Sequence, residues 1–187
     1  MCIRDRVDLA GRVEHYTDSG GINTETGKFS TRYDFNKYFS LRGTIANGFR
    51  APTLAEEHYT SLEVSPTGAA GILATTSPAA RSLGSKDLKP ERSMNYSAGI
   101  ILNPMRNMHI TLDAYQITLK DRIMVGGVYN GQQAINAIES DNIILPPGLT
   151  ATDVSANYFT NAANTRTRGM DISCLLYTSP SPRDPKT

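Results

Sequence analysis

Three histidines, one adjacent carboxylate pair and two cysteines are the residues of this 187-residue chain whose types could do chemistry. His15, His58 and His109 fall on different elements without metal-ligand spacing, so each reads as an ordinary surface or interior-facing residue and no metal site is expected. Glu56 and Glu57 stand beside His58, but neighbours in a strand or loop point apart, which argues against acid–base catalysis. No GxSxG elbow and no phosphate-binding loop occurs. Neither an enzyme nor a cofactor is expected. A formal charge of +1 offers no basic stripe for phosphates, so nucleic acid is not an expected partner. Charged residues at 20% and hydrophobic residues at 39% argue against bulk disorder. The absence of any run of about 18 apolar residues excludes a helical membrane span but not a stranded one.

The cysteines, Cys2 and Cys174, lie near the two ends, and both ends are unusual. The chain starts Met1-Cys2-Ile3-Arg4-Asp5-Arg6 and finishes Cys174-Leu175-Leu176-Tyr177-Thr178-Ser179 followed by Pro180 to Thr187. Both stretches resemble translated sequencing-library adapter. The adapter TGT CTC TTA TAC ACA TCT reads as the six residues from Cys174, and its reverse complement, ATG TGT ATA AGA GAC AG, reads as the first five. Segments 1–6 and 174–187 are therefore expected to be adapter-derived, with 7–173 an internal piece of a longer protein. No disulfide or redox argument then rests on either cysteine. Without those segments the formal charge falls from +1 to −1.

Positioning any functional residue falls to strands. Period-two alternation marks strands with two unlike faces. Phe29, Thr31, Tyr33 and Phe35 alternate with Lys28, Ser30, Arg32 and Asp34; Phe39, Leu41, Gly43, Ile45 and Phe49 alternate with Ser40, Arg42, Thr44, Ala46, Gly48 and Arg50. Met94, Tyr96, Ala98, Ile100 and Leu102 repeat the pattern. Three less regular strands are expected at Val7–Tyr16, Met108–Ile123 and Tyr158–Ile172. In the second of these the apolar phase moves from Ile110, Leu112 and Ala114 to Tyr115, Ile117 and Leu119. Either a bulge re-aims the side chains there, or the strand leaves the membrane and its outward face becomes polar.

The connections between these strands run long, short, long, short, long: Thr17–Gly27, Asn36–Tyr38, Ala51–Lys89, Asn103–Asn107 and Met124–Asn157. An up-and-down meander through a membrane gives tight turns on one side and long loops on the other. Residues Gly131–Asn142 could form a short helix that gathers Ala134, Ile135 and Ile138, before Pro146-Pro147-Gly148 breaks regular structure. The expected fold is all-β: about six strands in an antiparallel up-and-down meander, part of a large transmembrane β-barrel. Arg12, Glu14, Lys28, Arg32, Asp34, Arg42 and Glu91 then face a lumen, where water or a plug can meet buried charge.

At Gly48-Phe49-Arg50-Ala51-Pro52-Thr53-Leu54-Ala55-Glu56 the sequence resembles the barrel of TonB-dependent outer-membrane receptors, in which GFRAP-x-L-x-E ends a strand and enters a large extracellular loop. Further stretches are similar in the same order. They are Leu88-Lys89-Pro90-Glu91-Arg92-Ser93 with Asn95 to Gly99, Asp113 to Ile123, Tyr158 to Asp171, and upstream Ala10 to Tyr16 with Asp18. Pro52 and Pro90 remove ladder donors where strand and loop meet. Gly48, Gly99 and Gly169 relieve crowding. Glu91 belongs to the same architectural set.

The resemblance implies barrels of about 22 strands with a folded plug, active uptake of scarce nutrients such as ferric siderophores, and coupling to an inner-membrane TonB complex through an N-terminal box. It implies residence in the outer membrane of a Gram-negative bacterium, with membrane lipid, the plug, the TonB complex and a small-molecule chelate as partners. Ligand contacts are expected in the long loops, where anionic chelates favour cationic and aromatic groups: Arg50, His58, Tyr59, Arg81 and Lys86. A passive pore without a plug and a soluble β-sandwich binding module remain as alternatives. Six strands leave two open edges, so residues 7–173 are not expected to fold stably alone.

Overall fold

The computed structural model describes residues 5–17 and 21–177. Residues 1–4 and 178–187 of the two adapter-like segments, Cys2 among them, lie outside the described residues, as does Asp18 of the first motif.

Six long strands form a wall: β1 (Asp5–Tyr16), β2 (Ile22–Asp34), β3 (Phe39–Arg50), β6 (Glu91–Met105), β7 (Met108–Val125) and β9 (Val154–Leu176). Each pairs antiparallel with the next in that order, giving a curled sheet that is part of a barrel. The register aligns like with like. Tyr33, Leu41, Ile100, Leu112 and Ile172 lie in one cross-strand row, and Leu9, Phe29, Ile45 and Tyr96 in another. These side chains are largely exposed, from Ile100 and Leu112 at intermediate burial to Leu9 at 76%, so none of the described residues covers this face. Arg12, Glu14, Lys28, Arg32, Asp34, Arg42 and Glu91 fall on the opposite face.

The tight turns are Phe35–Tyr38 and Arg106–Asn107, both at one end of the wall. At the other end two long connections carry structure of their own. The first holds α1 (Leu54–His58), the hairpin β4 (Ser61–Ser65) and β5 (Gly68–Leu73), and α2 (Pro78–Ser82). The second holds β8 (Tyr129–Asn130) and α3 (Gln132–Ser140). The main core of the described residues lies here rather than in the wall. Leu73, Ala79, Ala80, Ala134, Ala137, Ile138, Val154 and Ala156 pack together with almost no exposure. Tyr129 and Tyr158 stack at 5.6 Å beside them, their hydroxyls 3.0 Å apart. Local sequence prepares the two helices of this cap. Ser77 caps α2 and Pro78 opens it, while Gly131 enters α3 with φ of +77°. The Ala79 N–H donates to Asp141 Oδ1 at 3.0 Å, joining the start of α2 to the end of α3.

Several expectations change. The sheet is mixed rather than purely antiparallel, because β5 runs parallel to the start of β9. The hairpin β4–β5 lies in a loop, and the chain returns to its edge only after building β6 and β7. Ile22–Gly27, expected as loop, is strand: polar on both faces, it shows no hydrophobic period yet pairs by backbone with β1. The helix at 131–142 forms, with Ala134 and Ile138 buried and Ile135 packed alongside. At Tyr115 the β6–β7 register is unbroken from Leu102↔Ile110 to Arg92↔Lys120, so no bulge occurs there. Tyr115, Ile117 and Leu119 take the inner face, and Gln116, Thr118 and Lys120 continue the outer one. The irregularity sits later, between Leu119 and Ile123 against β9, where Asp121 has φ of +56°.

Candidate functional site

At the loop end of the wall, the close of β3, the start of β6, the end of β7 and the middle of β9 meet in one polar clasp. Arg50 ends β3, and its guanidinium donates to Glu56 Oε1 at 3.0 Å and Glu91 Oε1 at 2.9 Å. Glu56 is held by the start of α1. Its carboxylate accepts from the Thr53 N–H at 2.8 Å and the Thr53 hydroxyl at 3.0 Å, while Thr53 Oγ1 accepts from the Glu56 N–H. This capping box satisfies two donors that a helix start leaves unpaired. Glu91 lies opposite Arg50 in the ladder and also accepts from the Ile123 N–H at 2.8 Å.

Asn161 of β9 extends the clasp. Its Oδ1 accepts from the Lys89 N–H at 2.8 Å, and its Nδ2 donates to the carbonyls of Lys89 at 2.9 Å and Asp121 at 2.6 Å. Asn164 Oδ1 accepts from the Asp121 N–H at 3.1 Å, where the left-handed residue turns its amide out of the ladder. The first long connection is thereby fixed to the wall near both its ends, through Glu56 and Lys89.

Below the clasp the inner face carries paired charge. Arg12 pairs with Glu14, Arg32 with Asp34, and Arg42 with Asp113. The last pair spans β6, and it can do so because Gly99 lies between them: a Cβ there would collide with the Asp113 carboxylate and come within 2.9 Å of Arg42 Nε. Gly169 likewise lies under the ring of Tyr115, its ladder partner. A Cβ on Gly48 would stand 2.8 Å from Ser93 Oγ. Phe49 meets Tyr16 edge-on at 5.7 Å. Pro52 is buried just beyond the end of β3, and Pro90 immediately precedes β6.

Of the five candidate ligand contacts, three are already engaged. Arg50 serves the clasp, Arg81 pairs with Asp87, and His58 Nδ1 lies 3.0 Å from Thr76 Oγ1. Tyr59, at 62% exposure, and Lys86, also exposed, form no ion pair among the described residues. No hydrogen bond joins any two of the five. In the second loop the Thr150 hydroxyl and N–H donate to Asp153, holding that carboxyl below its ordinary range. Sequence reasoning met Glu56 as half of a carboxylate pair and as a motif residue, and Asn161 inside a motif, but assigned neither a place in the clasp. The Thr53–Glu56 spacing does signal a capping box, but nothing local shows Asn161 reaching back 72 residues to Lys89. Among the described residues no group of three or more His, Cys, Asp or Glu could hold a metal, and no helix is long and apolar enough to cross a membrane.

Comparison with known proteins places this architecture. The family model "TonB dependent receptor-like, beta-barrel" matches residues 4–177. No curated protein matches the sequence. Among solved structures, the siderophore receptor PirA from Acinetobacter baumannii is similar with a TM-score of 0.63 and 19% identity, over 92% of this chain and 23% of that one. PirA from Pseudomonas aeruginosa gives 0.59 and 15%, over 90% and 27%. A mutant ferric enterobactin receptor, PfeA, from Pseudomonas aeruginosa in complex with enterobactin gives 0.63 and 14%, over 90% and 22%. The chain thus spans about a quarter of the length of these structures, which share its fold. With its polar-faced wall, looped rim and matching family model, the chain belongs to the TonB-dependent receptor β-barrel family, whose members are receptors and not enzymes.

Proposed function

We propose that this chain forms part of the wall and outer rim of an outer-membrane receptor that actively takes up a scarce nutrient, a ferric siderophore or a similar anionic chelate, in a Gram-negative bacterium. The observation that supports this reading is the clasp Arg50–Glu56–Glu91–Ile123. It fastens the first of two ordered, jointly cored loops over one end of a wall whose inner face is charged, which is the construction of a binding mouth. A simple pore needs no such folded mouth. Of the five candidates, Tyr59 and Lys86 are left available to a ligand, while Gly48, Phe49, Arg50, Pro52, Pro90, Glu91, Gly99 and Gly169 shape the rim and wall. The plug and the TonB complex are the partners this function requires. Residues 7–173 are the receptor part in this reading, and the two terminal segments are adapter-derived; amplifying the locus from source DNA and finding the terminal codons within flanking genomic sequence would refute that.

The test uses the full-length gene in a Gram-negative host lacking its own siderophore receptors. Uptake of radioiron from a panel of ferric siderophores is expected to depend on TonB. Uptake that persists after deletion of TonB supports a passive pore instead. Trypsin cleavage throughout the strands on intact cells, rather than in the long loops alone, supports a soluble module.

A further inference from the structure

Beyond β9 the wall can continue along one edge of that strand only, and the cap already holds the top of it. Backbone groups of successive strand residues point to opposite edges. In β9 the even carbonyls face β7 and β8: Tyr158 accepts from the Gly126 N–H at 2.8 Å, and Val154 from the Gly131 N–H at 3.2 Å. The odd ones face away from both. There Asp153 accepts from the Ala69 N–H at 2.9 Å, and Phe159 from the Thr75 hydroxyl at 3.3 Å. Between those points β5 pairs with Val154–Tyr158, residue for residue. The loop strand β5 thus occupies the edge on which a barrel adds its next strand, down to Phe159. From 160 to 172 that edge has no partner among the described residues.

A barrel of this family closes, and the chain spans about a quarter of the solved structures it matches, so a further strand takes the open edge in the whole receptor. It rises antiparallel to β9 from the tight-turn end and meets β5 at the level of Phe159. The strand after it descends from the same end. Neighbouring strands stand about 4.8 Å apart, so β5 lies in line with the first of the two and β4, one place further, with the second. The loop that joins them leaves and re-enters the wall beneath this hairpin.

Strand β4 is built to be paired. One edge is fixed to β5 throughout Ser61–Ser65, so closely that a Cβ on Gly71 would collide with the Ser61 carbonyl. Both ends of the hairpin are held: Thr60 Oγ1 accepts from the Ala74 N–H at 2.9 Å, and Ser65 Oγ donates to the Gly68 carbonyl at 3.0 Å. Leu62 packs on the cap core. The other edge has no strand against it among the described residues. It carries none of the usual guards of a free edge: no proline, no lysine, and Glu63 as its single charge.

We propose that β4 is an interior strand of the complete cap. Its free edge pairs, backbone to backbone, with an extended segment of the loop that joins the two wall strands following β9, so that three loops share one sheet. The occupant is the receptor's own chain rather than a second copy or a foreign peptide, because β4 stands over wall positions that the same barrel fills. The inference needs the barrel and not the transported substrate.

Hydrogen exchange resolved to single amides, in full-length receptor in micelles, reads the edge. A strand paired on one side protects alternate amides, and one paired on both sides protects all of them. Every amide of 62–64 is expected to exchange at least about tenfold more slowly than an unprotected one. Replacing the partner loop by a Gly-Ser linker should release alternate amides of 62–64 and leave 69–73 protected. A photocrosslinking residue in place of Glu63 should join to that loop, as peptide mass spectrometry would show, and it decides the matter if 69–73 open as well. Unprotected alternate amides in wild type, unchanged protection of 62–64 after the replacement, or a crosslink that lands elsewhere overturns the inference, a second receptor copy or another protein included. Absent iron uptake by wild type would defeat the receptor reading without touching this pairing.

Discussion

Removing Glu91 should open the rim locally, and the amount follows from what its carboxylate holds. Oε1 accepts from the Ile123 N–H and from Arg50. Ile123 is only 8% exposed, so Glu91→Ala leaves a nearly buried amide unpaired, a cost of about 1–3 kcal/mol. The lost ion pair adds less. Arg50 is 45% exposed and keeps Glu56, which limits that contribution to about 0.5–1 kcal/mol. Together they give about 1.5–4 kcal/mol, or roughly a 10- to 800-fold rise in local opening. Glu91→Gln separates the parts, because the amide oxygen still accepts from Ile123. Its effect should be roughly two- to fivefold. Hydrogen exchange of full-length receptor in micelles reads both, at the amides of residues 121–125 and across α1. Equal exchange in the two variants would refute the assignment of the larger share to the Ile123 amide. Exchange that rises uniformly along the wall would refute the clasp as a local device.

Three other outcomes are expected. Gly99→Val should displace Asp113 from Arg42 and lower thermal stability by about 1–3 kcal/mol through overpacking, whereas Asp113→Asn alone should cost less, as both partners are partly exposed; heat-modifiability on gels ranks the two. Ile138→Ala should destabilise the loop cap by about 2–4 kcal/mol and speed proteolysis within 126–153, at Tyr129 and Leu149, while leaving the strands resistant, as limited chymotrypsin digestion would show. Tyr59→Ala with Lys86→Ala should weaken siderophore binding in equilibrium titration without changing the melting temperature, because neither side chain is buried; unchanged affinity would remove both from the binding surface.

The wall was readable from sequence because alternating burial demands are written at period two. Phe29 to Phe35, Phe39 to Phe49 and Met94 to Leu102 each name their own strand. Where both faces turn polar that signal vanishes, which is why Ile22–Gly27 read as loop although its backbone pairs fully with β1. Apart from the helix at 131–142, the cap was hidden for a different reason. Its small apolar residues Ala69, Ala79, Ala80 and Ala156 contribute by packing closely rather than by standing out in composition. The clasp was half visible: Arg50 and Glu91 stand in recognisable motifs, but their meeting depends on the β3–β6 register across a 40-residue connection. Arg166 and Arg168 read as features of a polar strand until pairing with β7 showed which face they share.

The parallel contact between β5 and β9 has a consequence for how the strands find their alignment. A slip of one residue in β7–β9 would turn every side chain over and is strongly opposed. A slip of two residues preserves the inward and outward pattern almost intact, so the wall alone discriminates poorly against it. Such a slip would carry Val154, Ala156 and Tyr158 about 7 Å past the partners they meet in the cap and draw Asn161 away from Lys89. The cap can close over only one alignment, and so, through the few residues it takes from the start of β9, it proofreads the register of the whole strand.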